Sequence, residues 1–110
     1  MLKIYIERNT KENLYRLKMK GHCGFAKQGR DIVCAAASIL CLTMAQTIKN
    51  NQQYLDEKPR IITHNGHAVV EWKPKAMYAN ALNNSLYTVL QGFRLLEHQY
   101  PDYIKVVENK

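Results

Sequence analysis

The chain is poor in residues that break, cross-link or span. Five glycines and three prolines leave long uninterrupted stretches, and three of the glycines, Gly21, Gly24 and Gly29, fall in one loop. The three cysteines, Cys23, Cys34 and Cys41, are an odd number with no CxxC pair, which argues against a disulfide framework and a zinc ribbon. Acidic side chains are scarce, 9 against 16 Lys and Arg, for a net charge of +7. The longest apolar run, Ile32 to Ala45, is interrupted by Ser38 and Thr43 and falls short of the roughly 20 residues a bilayer requires. The chain opens on strand-like Leu2-Lys3-Ile4-Tyr5-Ile6 rather than on a basic leader and apolar signal segment. These absences lead us to expect a cytoplasmic location with reduced thiols and no membrane partner.

At 110 residues the chain is long enough for one domain, spanning 1–110, whose modest core a dimer interface can share. Leu2, Ile4 and Ile6 alternate with polar residues, and Tyr15, Leu17 and Met19 alternate with Arg16, Lys18 and Lys20, so the first two strands form a hairpin with one basic face. Asp31 is a good N-cap for an Ala-rich helix running from Ile32 to about Asn50. Its apolar residues nearly surround it, which predicts burial under a sheet or in a dimer interface. Asn65-Gly66 between two β-branched runs is a strong hairpin signal. A second helix runs from Met77 to about Tyr100, stopped by Pro101, and Ile104, Val106 and Val107 supply a last strand. The order ββαββαβ implies an α/β sandwich, a mixed or antiparallel sheet packed against two helices.

The chemistry-bearing residues concentrate around the glycine-rich loop. Cys34 follows Asp31 closely enough to sit in the first helical turn, where the macrodipole and unpaired N–H groups favour thiolate. His22 stands in the loop just before it, the residue type that takes a proton from a thiol and returns it to a leaving amine. Asp31 has two available roles, helix cap or orienter of the imidazole. Ser38, one turn after Cys34, shares its face and is placed to bond the thiolate, a substrate carbonyl or the helix backbone. Backbone N–H groups at the helix start and in the loop are candidate oxyanion donors. Cys23 is a rival nucleophile or redox partner, and Cys41, two turns beyond Cys34, is expected in the core. A metal set drawn from His22, Cys23, Cys34, His64 and His67 lacks zinc-site spacing, so no metal or cofactor is expected. The ordinary alternative is a buried structural cysteine beside a solvated histidine.

Gly-His-x-Gly followed by Asp-Ile-Val-Cys-Ala-Ala-x-Ser is similar to the signature of the ribosomal-processing cysteine proteases, the Prp family, and the resemblance runs nearly end to end. It implies Cys34 as nucleophile, His22 as its partner, and Gly21, Asp31 and Ser38 as supporting residues; Gly24 and Gly29 give the loop the backbone freedom with which such loops wrap a substrate. It further implies a homodimeric cysteine endopeptidase of Firmicutes and related bacteria. Such an enzyme removes the N-terminal extension of a large-subunit ribosomal protein, cutting after a short apolar segment that ends in aromatic residues. Two positions depart from the family pattern: Cys23 replaces a usual alanine, and Ala37 a common valine.

Charge suggests a rival from another class. Residues 1–30 hold eight basic side chains against Glu7 and Glu12, whereas 31–110 carry eight basic and seven acidic. A non-catalytic ribosome- or RNA-associated module would use that basic third and lose affinity steeply with salt, while a thiol protease is killed by alkylation. The aromatics lack the spacing of base-stacking modules. A thiol redox protein, with a Cys23–Cys34 disulfide, ranks last for want of CxxC.

Overall fold

The computed structural model describes residues 1–22, 24, 26, 31–64 and 66–109. Its strands are β1 (Leu2–Asn9), β2 (Leu14–Lys20), β3 (Arg60–His64), β4 (His67–Trp72) and β5 (Ile104–Asn109), and its helices α1 (Ile32–Asn50) and α2 (Ala79–Gln99). The strands form one sheet in the order β3-β4-β2-β1-β5. All neighbours are antiparallel except β1 and β5, which run parallel. The sheet is therefore mixed, and the parallel pair needs the crossover that α2 supplies.

Alternation decides which face is covered. Leu2, Ile4 and Ile6 of β1, Tyr15, Leu17 and Met19 of β2, Ala68, Val70 and Trp72 of β4 and Ile104 of β5 join one cluster with residues from both helices. From α1 come Val33, Ala37, Cys41, Met44, Ala45 and Ile48, and from α2 Leu82, Leu86, Val89, Leu90 and Phe93. Both helices thus lie on one face and the other is open. By length and composition alone α1 could cross a bilayer, but its six buried residues tie it to the sheet. Of the two covers expected for α1, the sheet accounts for one side. Within one chain Ile32, Ile39 and Leu42 are 58%, 61% and 47% exposed, because the single sheet and α2 cover only that side of the helix.

One boundary also differs from expectation. A 3-10 turn over Ala76–Tyr78 precedes α2, which starts at Ala79 rather than Met77; a second such turn, Gln52–Tyr54, follows α1. There the Tyr54 and Tyr78 rings meet at 4.0 Å, so the two turns brace each other, and Leu55 bridges Pro74 just beyond β4. The C-terminal end of α1 is thereby fixed beside the Trp72 end of β4, leaving its N-terminal end beside the Gly66 turn.

At the far edge, Glu108 accepts from Arg8 at 3.0 Å and also pairs with Arg94 of α2. The Arg8 hydrogen bond leads in holding the Glu108 carboxyl below its ordinary value, with Arg94 adding to it. A lowered folded pKa contributes stability above the unfolded carboxylate value of about 4.3, and that contribution is lost as pH falls through the lower folded value. The stability difference between wild type and Glu108→Gln should therefore shrink as pH is lowered from 6 to 3, as read by urea midpoints. It should be modest, since partly exposed pairs are worth at most about 1 kcal/mol.

Candidate active site

Asp31, the residue before α1, has extended backbone and its Oδ1 accepts from the Cys34 N–H at 2.9 Å, while its carbonyl accepts from Ala35 N–H at 3.0 Å. Of the two roles open to Asp31, this is helix capping. With the Cys34 and Ala35 amides taken by Asp31, the N–H groups of Ile32 and Val33 are, among the described residues, the helix-start donors left to a substrate oxyanion. Cys34 is half-buried in this first turn.

His22 is exposed, and its ring is seated by another part of the chain. The loop leaves β2 through Gly21, whose N–H donates to the Gly66 carbonyl at 2.9 Å. Gly21 holds φ +99, and a Cβ there would meet the Met1 carbonyl oxygen at 2.6 Å. Gly66, at φ +77 in the β3–β4 turn, lies so close beneath the imidazole that a Cβ would stand 2.7 Å from His22 Nε2 and 2.9 Å from Cε1. Only glycine satisfies both the left-handed backbone and the ring above it. Gly66 is the site residue that sequence reasoning missed. The hairpin itself was legible, but nothing local shows that its turn carries the imidazole of a loop more than 40 residues earlier.

Ser38 lines a cavity of about 290 Å³ with Met19, Cys41, Leu42, Thr63, His64 and Ala68. Among the described residues Ser38 has no hydrogen-bond partner, whereas Thr43 and Thr47 on the same helix donate to carbonyls one turn back. Its hydroxyl is thus available to a bound group. Because α1 begins beside the Gly66 turn, Cys34 lies one turn toward that turn from Ser38, at the end of the sheet where His22 is seated. The cavity walls are mainly apolar, suited to an apolar side chain.

Burial pushes the Cys41 thiol up to about 11, and the residue is 1% exposed, as its expected core role demands. Gly24 is exposed at φ +70, and a Cβ there would meet nothing within 4 Å. Cys23, Gly29 and Asn65 lie outside the described residues. The basic face of the first hairpin is less uniform than its sequence suggests. Arg16 donates to Glu71 at 2.7 Å and Glu7 at 2.6 Å, the Glu71 hydrogen bond foremost in raising its pKa, whereas Lys18 and Lys20 of the same strand have no carboxylate within ion-pair distance among the described residues.

Residues 1–105 match the family model described as cysteine protease Prp. A ribosomal processing cysteine protease Prp of Mycoplasma pneumoniae is 27% identical over 96 residues, covering 87% of this chain and 89% of the relative. Two solved structures of the essential ribosomal processing protease Prp from S. aureus share the fold. One, with a covalently linked product peptide, has a TM-score of 0.78 at 23% identity, covering 99% of this chain and 100% of that one. The other, with a substrate peptide, has a TM-score of 0.73 at 22% identity, with the same coverage.

Proposed function

The chain belongs to the cysteine protease Prp family, and from that premise we propose that it removes the N-terminal extension of a large-subunit bacterial ribosomal protein in the cytoplasm, with Cys34 as nucleophile and His22 as proton carrier. The observation that carries the assignment is the Asp31 cap, which fixes Cys34 in the first turn of α1 at the same end of the sheet as the His22 seat. There the Cys34 thiol gives its proton to His22 as sulfur attacks the scissile carbonyl carbon. The oxyanion is met by helix-start N–H groups, and collapse expels the amine, which takes the proton from His22. A thioester remains on Cys34. Water then attacks it, yielding one proton to His22 and releasing the acid and the thiol.

The apolar cavity beside Ser38 supports a substrate with an apolar or aromatic residue near the cut. The test is mass spectrometry of a precursor peptide carrying the extension and the first residues of the mature ribosomal protein. A single cut after the apolar-aromatic segment is expected, and an uncut peptide with folded enzyme would refute the assignment.

The homodimer is part of the same proposal. Ile32, Ala35, Ile39 and Leu42 recur at i, i+3, i+7 and i+10 along the uncovered side of α1, all exposed. That is the seam spacing by which two helices pack. Leu42→Glu should convert a dimer to a monomer in sedimentation velocity. A dimer unchanged by Leu42→Glu and by Ile39→Glu would place the interface elsewhere.

A further inference from the structure

The open face of the sheet, opposite both helices, carries its charge in rows set by strand register. In the row nearest the Gly66 turn, His64 pairs with His67, His67 with Lys20, Lys20 with Lys3 and Lys3 with Lys105. Five strands thus contribute five basic residues and no acid. The next row reads Ile62, Val69, Lys18, Tyr5, Val107, with Lys18 Nζ 5.6 Å from the Tyr5 ring centroid. The third contains both carboxylates of this face, Glu7 and Glu71, and Arg16 engages them. Among the described residues no carboxylate is within ion-pair distance of Lys3, Lys18, Lys20 or Lys105.

Like charges directly opposite one another across strands destabilise a sheet, and Lys105, Lys3 and Lys20 stand side by side in three adjacent strands. The fold gains nothing from that arrangement, whereas a polyanion laid along the row would relieve it. The row spans about 19 Å, four strand spacings of about 4.8 Å. Beside it lies the half-buried ring of Tyr5, flanked by Lys18 and Val107, an aromatic face of the kind on which an unpaired base stacks. We propose that this open face binds single-stranded RNA, the row of Lys20, Lys3 and Lys105 together with Lys18 holding phosphates and the Tyr5 ring receiving a base, without sequence selection. An acidic protein segment would use the lysines but not the ring. The row lies at the same end of the sheet as the His22 seat but on the face opposite Cys34, and its lysines have no part in the proposed cleavage chemistry, so the proposal does not rest on the protease reading.

The test is fluorescence anisotropy of a labelled 12-nucleotide single-stranded RNA titrated with the full-length protein at several KCl concentrations. The wild type is compared with Lys3→Gln/Lys20→Gln/Lys105→Gln and with the charge-matched Lys11→Gln/Lys49→Gln/Lys75→Gln. Four lysine–phosphate contacts, from Lys3, Lys20, Lys105 and Lys18, each contributing a slope of about 0.7 in log affinity against log salt, predict about a 50-fold loss for wild type between 50 and 200 mM. With one contact left, the face triple should lose only about 3-fold, while the control triple behaves as wild type. The face triple should also melt no lower than wild type, since it removes repulsion. Equal weakening by the two triples, a salt-insensitive affinity, or equal binding of a poly-glutamate peptide would overturn the proposal. Peptide cleavage by the face triple at the wild-type rate is expected and separates this surface from the active site.

Discussion

Cys34→Ala leaves no detectable cleavage of the precursor peptide, a loss of about 10⁴-fold or more, while its melting temperature stays near that of wild type. The size follows from removing the atom proposed to form the acyl-enzyme: what remains is binding and oxyanion stabilisation, which act on water attack alone. The fold survives because Cys34 is only half-buried and its structural tie to Asp31 runs through the backbone N–H, which alanine retains. The other thiols do not substitute on this account. Cys41 is buried in the core with its thiol pushed up to about 11. Cys23 adjoins His22 in sequence but precedes Ile32, the first residue of α1, by nine positions. Cleavage by Cys34→Ala at more than about a hundredth of the wild-type rate would transfer the nucleophile to Cys23.

Gly66→Ala lowers kcat by about 10²-fold although Gly66 carries no functional group. The added Cβ would stand 2.7 Å from His22 Nε2, so the ring must move, and misplacing a catalytic group by about 1 Å costs about that much. Holding alanine at φ +77 adds a destabilisation of about 1–2 kcal/mol. Gly92→Ala is the natural comparison. Its Cβ would meet the Leu40 side chain at 2.7 Å, a similarly close approach between α2 and α1 but remote from His22. Gly66→Ala should melt lower, whereas in Gly92→Ala the gain in helix propensity offsets the displacement of the Leu40 side chain, and only Gly66→Ala should lose turnover when assayed well below its midpoint. If the two variants cleave alike, His22 does not work from the position the Gly66 turn gives it.

Much of the fold was legible because its determinants are local. Alternation in Leu2–Ile6 and Tyr15–Met19, the Asp31 cap, the Asn-Gly turn and the i, i+3, i+4 pattern of Leu82 to Phe93 each declare an element without reference to the rest. The proposed nucleophile and its partner were legible for a related reason, since cap, cysteine and histidine fall within thirteen residues. What the sequence concealed is non-local. That Gly66 seats His22 depends on β4 lying beside β2. That Arg16 is neutralised depends on Glu71 and Glu7 falling opposite it in neighbouring strands. The lysine row exists only in the register of β1, β2 and β5, and the β1–β5 pairing joins the two ends of the chain. The exposed stripe of α1 was hidden because an apolar helix reads the same whether its second side meets a sheet or another subunit.

The most direct test of the account is covalent trapping. The protein is incubated with a limiting amount of a peptidyl chloromethyl ketone built on the apolar-aromatic sequence before the cut, then digested and mapped by tandem mass spectrometry. Alkylation of Cys34 in step with loss of cleavage, with Cys23 and Cys41 unmodified until activity is gone, is the predicted result. First modification at Cys23, or full labelling of Cys34 with cleavage retained, would contradict it.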